Sequence, residues 1–244
     1  MDIKMSGITH QGMVRINNED SISTLDDIGV AILADGMGGH QAGEVASSMA
    51  VEMVQQYFTA VMGSPGLESD GEKLLESINL ANTAVFELSQ ERPECAGMGT
   101  TIVVCNFIDG KIITGHVGDS RLYRLRDNFL EQITQDHSVV QELVSRGFMS
   151  QEEANNSMNK NLVTRALGIE ASVEADLIEQ EYQSGDVYLL CSDGLSDVVP
   201  DAEIEKALVE QQKDIGITAK YLVDQANTAG GPDNISVILV KISD

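Results

Sequence analysis

Two short apolar runs constrain this chain most. IGVAILADG (28–36) and VYLLCSDG (187–194) are each too short to span a membrane, and each ends in an aspartate followed by glycine. Runs of this length bounded by turn residues read as buried strands. A third aspartate, in GGPDN, stands at the mouth of the apolar run ISVILVK (235–241), and Asp119 stands in HVGDSR after a further β-rich run. Two acids in NNED (17–20) precede another short β-like stretch. A fold that gathered these strand ends would place several carboxylates at one point.

Between the strands lie two helical patterns. Apolar residues from Val45 to Phe58 recur about every four positions, and Leu74, Ile78, Ala81, Val85 and Leu88 mark a second amphipathic helix that ends near Pro93. A polar loop at 63–72 separates them. Asp109-Gly110, set between two β-rich runs, predicts a hairpin. A second turn at Gly118-Asp119 then predicts a third strand, making an antiparallel meander over 100–128. Residues 138–168 are polar, with a short helical stretch near 139–146 and no core pattern, which predicts a surface segment. Helical patterns follow at 202–211 and 217–228. The succession predicts an α+β fold, with sheet on sheet and helices outside, over one domain of 244 residues.

Fifteen basic against 39 acidic residues give a formal charge of −24. That excludes a nucleic-acid binder, which needs basic patches to displace counterions from phosphates. It argues equally against anionic membrane surfaces. No run approaches the ~20 apolar residues of a membrane span. The N-terminal stretch carries no apolar segment to act as a signal peptide. Cys95, Cys105 and Cys191 show no metal-ligand spacing; Cys105 and Cys191 sit in apolar runs, as buried free thiols do. A cytoplasmic protein is expected.

Gathered carboxylates have a physical use. Mg²⁺ and Mn²⁺ take oxygen ligands, and two such ions ~4 Å apart share bridging groups and acidify a water. Glycine after aspartate admits a close backbone approach and frees its carbonyl as a ligand. Asp-Gly is also a common turn, and Asp109-Gly110 is read as that alone. Arg15 is the only arginine among the first 91 residues and lies four and five positions before Glu19 and Asp20. It suits a salt bridge or a bidentate phosphate fork, and spacing does not choose between them.

The motifs R-x-x-N-E-D (15–20), A-D-G-M-G-G-H (34–40), G-M-G-T-T (97–101), V-G-D-S-R (117–121), C-S-D-G-L (191–195) and G-x-D-N-I-S-V (231–237) occur in one order. In that order they resemble the protein phosphatase 2C family of metal-dependent Ser/Thr phosphatases, bacterial type, from about Thr9 to Val240. The resemblance implies a β-sandwich of two antiparallel sheets flanked by helices, in α-β-β-α layers. It implies two tightly bound Mn²⁺ or Mg²⁺ ions at one end, and room for a third. By motif position Asp35 bridges the two metals, and the Gly36 carbonyl binds one of them. Asp193 and Asp233 complete the other, while Glu19 and Asp20 bind or orient metal waters. Asp119, with Asp193, matches the third-metal position; Asn234 supports the ligands; Arg15 holds the substrate phosphate. The segment at about 138–165 matches the family's flap. The implied reaction is direct hydrolysis of phosphoserine and phosphothreonine in proteins by a metal-activated water, without a phosphoenzyme, so Cys191 is a structural thiol.

One position departs from the pattern. Many eukaryotic relatives have histidine directly after Asp-Gly as a proposed general acid, and here Met37 stands there. His40 is the nearest histidine, able to donate a proton or only to cap the next helix. His137 is a weaker candidate, and His116, inside a strand, is structural. Expected partners are phosphorylated proteins, with a Ser/Thr kinase and its substrates; the chain itself is expected to be a monomer that binds neither nucleic acid nor membrane. The alternative is a catalytically weak phosphoprotein- or kinase-binding module of the same fold, which loss of ligand positions would favour. A divalent-ion-binding protein without catalysis has no use for Arg15.

Overall fold

In the structure, a computed structural model, residues 1–38, 42–61, 69–155, 157, 162–210 and 214–244 are described. The strands in chain order are β1 (Asp2–His10), β2 (Asp20–Leu25), β3 (Val30–Met37), β4 (Gly99–Thr100), β5 (Ile102–Ile108), β6 (Lys111–Val117), β7 (Arg121–Arg126), β8 (Phe129–Gln132), β9 (Asp176–Glu181), β10 (Val187–Cys191) and β11 (Ile235–Ser243). One antiparallel sheet runs β1-β11-β10-β7-β8 and the other β2-β3-β5-β6-β9, with β4 beside β3. Helices α1 (Ala42–Val61) and α2 (Asp70–Glu91) pack outside the second sheet. Short α3 (Val139–Ser145), α4 (Gln151–Asn155) and α5 (Asp193–Ser196) come next in the chain. Helices α6 (Asp201–Glu210) and α7 (Ile215–Thr228) cover the first sheet. Among the described residues no helix is long and apolar enough to cross a membrane.

The apolar runs are unbroken because both faces of the central strands are buried. In β3, Val30, Ile32 and Ala34 face the helices, while Ala31 and Leu33 face the other sheet. In β10, Leu189 and Cys191 face α6 and α7, while Tyr188 and Leu190 point between the sheets. β11 alternates in the same way: Val237 and Leu239 face out, Ile238 and Val240 in. Three apolar layers therefore separate four layers of structure, as expected for α-β-β-α.

The helix boundaries follow local chemistry. Ser69 and Glu72 form a reciprocal capping box at the start of α2, and the helix ends at Arg92, before Pro93. Asp214 accepts the Gly216 and Ile217 amides at the start of α7.

The expected three-stranded meander is corrected. Asp109 and Gly110 both take positive φ, 50° and 81°, and close the β5–β6 hairpin as predicted. The next strand, β7, joins the opposite sheet, pairing with β10 and β8. Gly118 makes this crossing with φ 108°, and a Cβ there would meet Thr101 at 2.6 Å. The second hairpin lies later, where Asp127 and Asn128 take φ 53° and 62° between β7 and β8. Strands β1 and β9 were not among those expected from the sequence; both are sheet edges with one face largely in solvent, so their apolar signal is thin.

Candidate active site

The alternation that buries Ala31 and Leu33 between the sheets aims Asp35, two residues on, into the same space. Asp20 sits directly opposite Asp35 in the β2–β3 register. Like charges in that relation repel. The sheets meet here through hydroxyls: Ser192 Oγ donates to Asp20 Oδ2 at 2.8 Å, and the Ser236 amide donates to Ser192 Oγ at 3.0 Å. Asp20 is 6% exposed, and its Oδ1 has no hydrogen-bond partner among the described residues.

Threonines from G-M-G-T-T hold the backbone of Asp35. Thr101 Oγ1 accepts its amide at 3.0 Å, Thr100 Oγ1 donates to its carbonyl at 2.8 Å, and the Thr101 amide donates to that carbonyl at 2.8 Å. Gly36 donates to the Glu19 carbonyl at 3.1 Å, and a Cβ on Gly36 would run into the Gly43 carbonyl. Only glycine fits between these two carbonyls. Asp193 opens α5 immediately after β10, with Ser192 as its cap. A side chain on Gly194 would strike the Asn234 carbonyl, so the Asp193 and Asp233 turns pack in backbone contact.

Asn234 is a clamp. Its Oδ1 accepts the Glu19 amide at 2.8 Å, and its Nδ2 donates to the carbonyls of Gln11 (3.0 Å) and Asn17 (2.8 Å). The loop that carries Arg15 is thus tied to the Asp233 turn. Arg15 Nη2 donates to Asp233 Oδ2 at 2.6 Å. Of the two readings of Arg15, the salt bridge is realised here, and its partner is Asp233 rather than Glu19 or Asp20.

Asp35 interacts electrostatically with Asp20, Asp193, Asp119 and Asp233. The strand-end acids therefore share one site. Burial, then its neighbour Asp20, raises the Asp35 carboxyl well above the usual range. Burial and Asp119 do the same to Asp193. Burial pushes Asp20 up to about 6, and burial with Asp136 pushes Asp119 up to about 6. Glu19 is raised by burial against the opposing pull of Arg15. A cavity of about 570 Å³ opens beside Asp119 and Asp193, lined also by Asp136, Asp197 and Asp201. Cys191 is buried, and its thiol is pushed up to about 12, which removes it as a nucleophile. His40 lies outside the described residues. Thr100, Ser192 and Ser236 lie within the quoted motifs but had no role assigned from the sequence, and Ser47, whose Oγ donates to the Glu19 carbonyl, lies outside every motif.

The sequence profile of protein phosphatase 2C matches residues 10–227. The chain belongs to the protein phosphatase 2C family. It is 38% identical over 239 residues to the serine/threonine phosphatase stp of Listeria monocytogenes serotype 4b, covering 96% of this chain and 93% of that protein. The Mycobacterium tuberculosis serine/threonine phosphatase PstP/Ppp superposes with a TM-score of 0.91 at 37% identity, covering 100% of each chain. The PstP catalytic domain solved in complex with two manganese ions superposes with a TM-score of 0.87 at 38% identity, covering 99% of each. The layered sandwich is thus the family's fold, and its acidic end is where the family motifs of this chain converge.

Proposed function

We propose that this chain is a metal-dependent protein phosphatase, which hydrolyses phosphoserine and phosphothreonine in proteins at the acidic end of its sandwich. One observation carries the reading: carboxylates from β2, β3, the Asp119 turn, α5 and the Asp233 turn meet at one place, and among the described residues the buried Asp20 Oδ1 has no partner. An all-oxygen donor set of this charge fits Mn²⁺ or Mg²⁺. Asp35, the Gly36 carbonyl, Asp193 and Asp233 would hold two ions, with Glu19 and Asp20 binding or orienting their waters. Asp119, with Asp193, would hold a third, and Asn234 fixes the loops that bring these groups together. When bound, the cations supply a water acidic enough to ionise near neutral pH and positive charge for a phosphoryl group.

The residues of the chain set the rest. Thr100 and Thr101 fix the backbone of Asp35, so its carboxylate does not need to reorganise. Arg15 stands at the solvent rim, 53% exposed, with a fork suited to two phosphate oxygens. A phosphate bound there would compete with Asp233 for Arg15, and Asp233 would then be free to hold a cation. Substrates are proteins phosphorylated by a Ser/Thr kinase on another chain. The chain acts as one phosphatase domain over 1–244, with 138–165 as its flap, as a cytoplasmic monomer. The buried free thiols of Cys95, Cys105 and Cys191 accord with a reducing compartment.

The test is hydrolysis of p-nitrophenyl phosphate and a phosphothreonine peptide. EDTA-stripped protein should be inactive and millimolar Mn²⁺ should restore turnover. Asp35→Ala should lower kcat/KM by about 1000-fold or more. Wild-type protein that binds Mn²⁺ by calorimetry yet turns nothing over would make the chain a phosphoprotein- or kinase-binding module. Sedimentation at working concentration reads the oligomeric state.

A further inference from the structure

The peptide before Asp119 is held from both ends by histidines. His137 Nδ1 accepts the Gly118 amide at 3.1 Å, and the His137 amide donates to the Gly118 carbonyl at 2.8 Å. His116 Nε2 lies 3.2 Å from the same carbonyl. A carbonyl only accepts and an amide only donates, which fixes both tautomers: His116 carries its proton on Nε2 and His137 on Nε2. His137 Nε2 lies 3.3 Å from Asp176 Oδ2, an ion-pair distance without hydrogen-bond geometry. The rings lie against each other with centroids 4.2 Å apart, and they are 0% and 4% exposed. His116, His137 and Asp176 bring possible ligand atoms within 4.8 Å, but His137 Nε2 is protonated and so offers no lone pair to an ion. The group is a clamp and not a metal site.

The clamp also reaches the 138–165 segment. The Thr164 amide donates to the His137 carbonyl at 2.7 Å, and Ser138 pairs with Val163 in an antiparallel bridge. Both ends of that segment are therefore fastened at His137, one residue-pair away from Asp119.

We propose that His137 is a positioning residue: by gripping both polar groups of Gly118 it holds Asp119 in place for a weakly bound third divalent cation, and it ties that position to the root of the 138–165 segment. This rests on the reading of Asp119 as a ligand of that cation. Gly118 suits the role, because its φ of 108° and its packing on Thr101 leave the peptide one compact arrangement that a side chain would disturb. Residues that orient a ligand typically change metal affinity when removed.

The experiment pairs two near-isosteric variants. In His137→Asn, Oδ1 takes the place of Nδ1 and keeps the Gly118 amide bond. In His137→Gln, Nε2 keeps the contact with Asp176 and loses that bond. Free Mn²⁺ is followed by electron paramagnetic resonance during titration of the full-length protein, and hydrogen exchange of the Gly118 amide is followed by NMR. His137→Asn should bind all ions nearly as wild type does. His137→Gln should weaken only the weakest site, by about 10- to 100-fold, and should speed Gly118 exchange at least about tenfold. Equal behaviour of the two variants, or loss confined to Asn, overturns the proposal. Asp119→Asn is the control: if it leaves the weakest site intact, the reading of Asp119 itself fails and the proposal fails with it. If Asp119→Asn removes that site and His137→Gln does not weaken it, only the proposal fails.

Discussion

At the residue scale, Arg15 is poised between two uses. It holds Asp233 at 2.6 Å across 218 residues of sequence, yet more than half of its side chain is open to solvent. An exposed pair of this kind contributes little to stability. A charge-assisted fork on a phosphate is worth about 1.5–3 kcal/mol. Arg15→Ala should therefore raise KM for a phosphothreonine peptide roughly 10- to 100-fold, with thermal midpoint and Mn²⁺ affinity nearly unchanged. A large loss of Mn²⁺ affinity instead would make Arg15 a structural counterion. The importance of Arg15 was legible because it stands alone among 91 residues; its partner was not, because spacing carries no information about a contact made by the far end of the chain. The parts played by the Thr101 and Ser192 hydroxyls and by the Ser236 amide were illegible for another reason. Such groups are common, and only strand register turns these three into supports for Asp35 and Asp20.

At the scale of elements, the long helices were readable from one apolar stripe each, and their ends from caps. The capping box of α2 joins Ser69 and Glu72 through bonds of 2.8 to 3.3 Å. Ser69→Ala should cost about 1 kcal/mol in urea unfolding while turnover stays at the wild-type value, because α2 carries none of the site's groups and reaches it only through α1 and the sheet. The strands divided differently. Central strands buried on both faces announced themselves, whereas edge strands β1 and β9 did not. Gly118 was seen as a turn, but a turn motif gives no sign of whether the next strand stays in its sheet. The backbone conformation at Gly118, and its fit against Thr101, decide that β7 crosses.

At the scale of the molecule, burial acts in opposite senses on two sets of groups. Burial, aided by His137, pulls His116 down to about 4. A histidine lowered in the folded state stabilises fully above its unfolded value near 6.5, and this contribution is lost as pH falls through 4. Asp20 and Asp119, raised to about 6, behave in reverse: their contribution is present below the unfolded value near 3.8 and is lost as pH rises through 6. In EDTA the two trends oppose each other. Comparing wild type with His116→Gln isolates the first: between pH 6.5 and 4 wild type should lose on the order of 2–3 kcal/mol more stability than the variant. Parallel curves would mean that His116 titrates normally. The fold class was legible because it depends on coarse patterning, which every central strand repeats. The site was legible as a set of motifs but not as geometry, since no single motif says that Asp20 faces Asp35.

That pairing has a consequence for tolerance to insertion and deletion. Strand residues alternate sides strictly, so removing one residue from between Ala31 and Asp35 would swing the acid out beneath α1 and bring an oily neighbour into its place. Chain length can vary freely at hairpin tips such as Asp109-Gly110, but along β3 the count of residues is itself part of the chemistry.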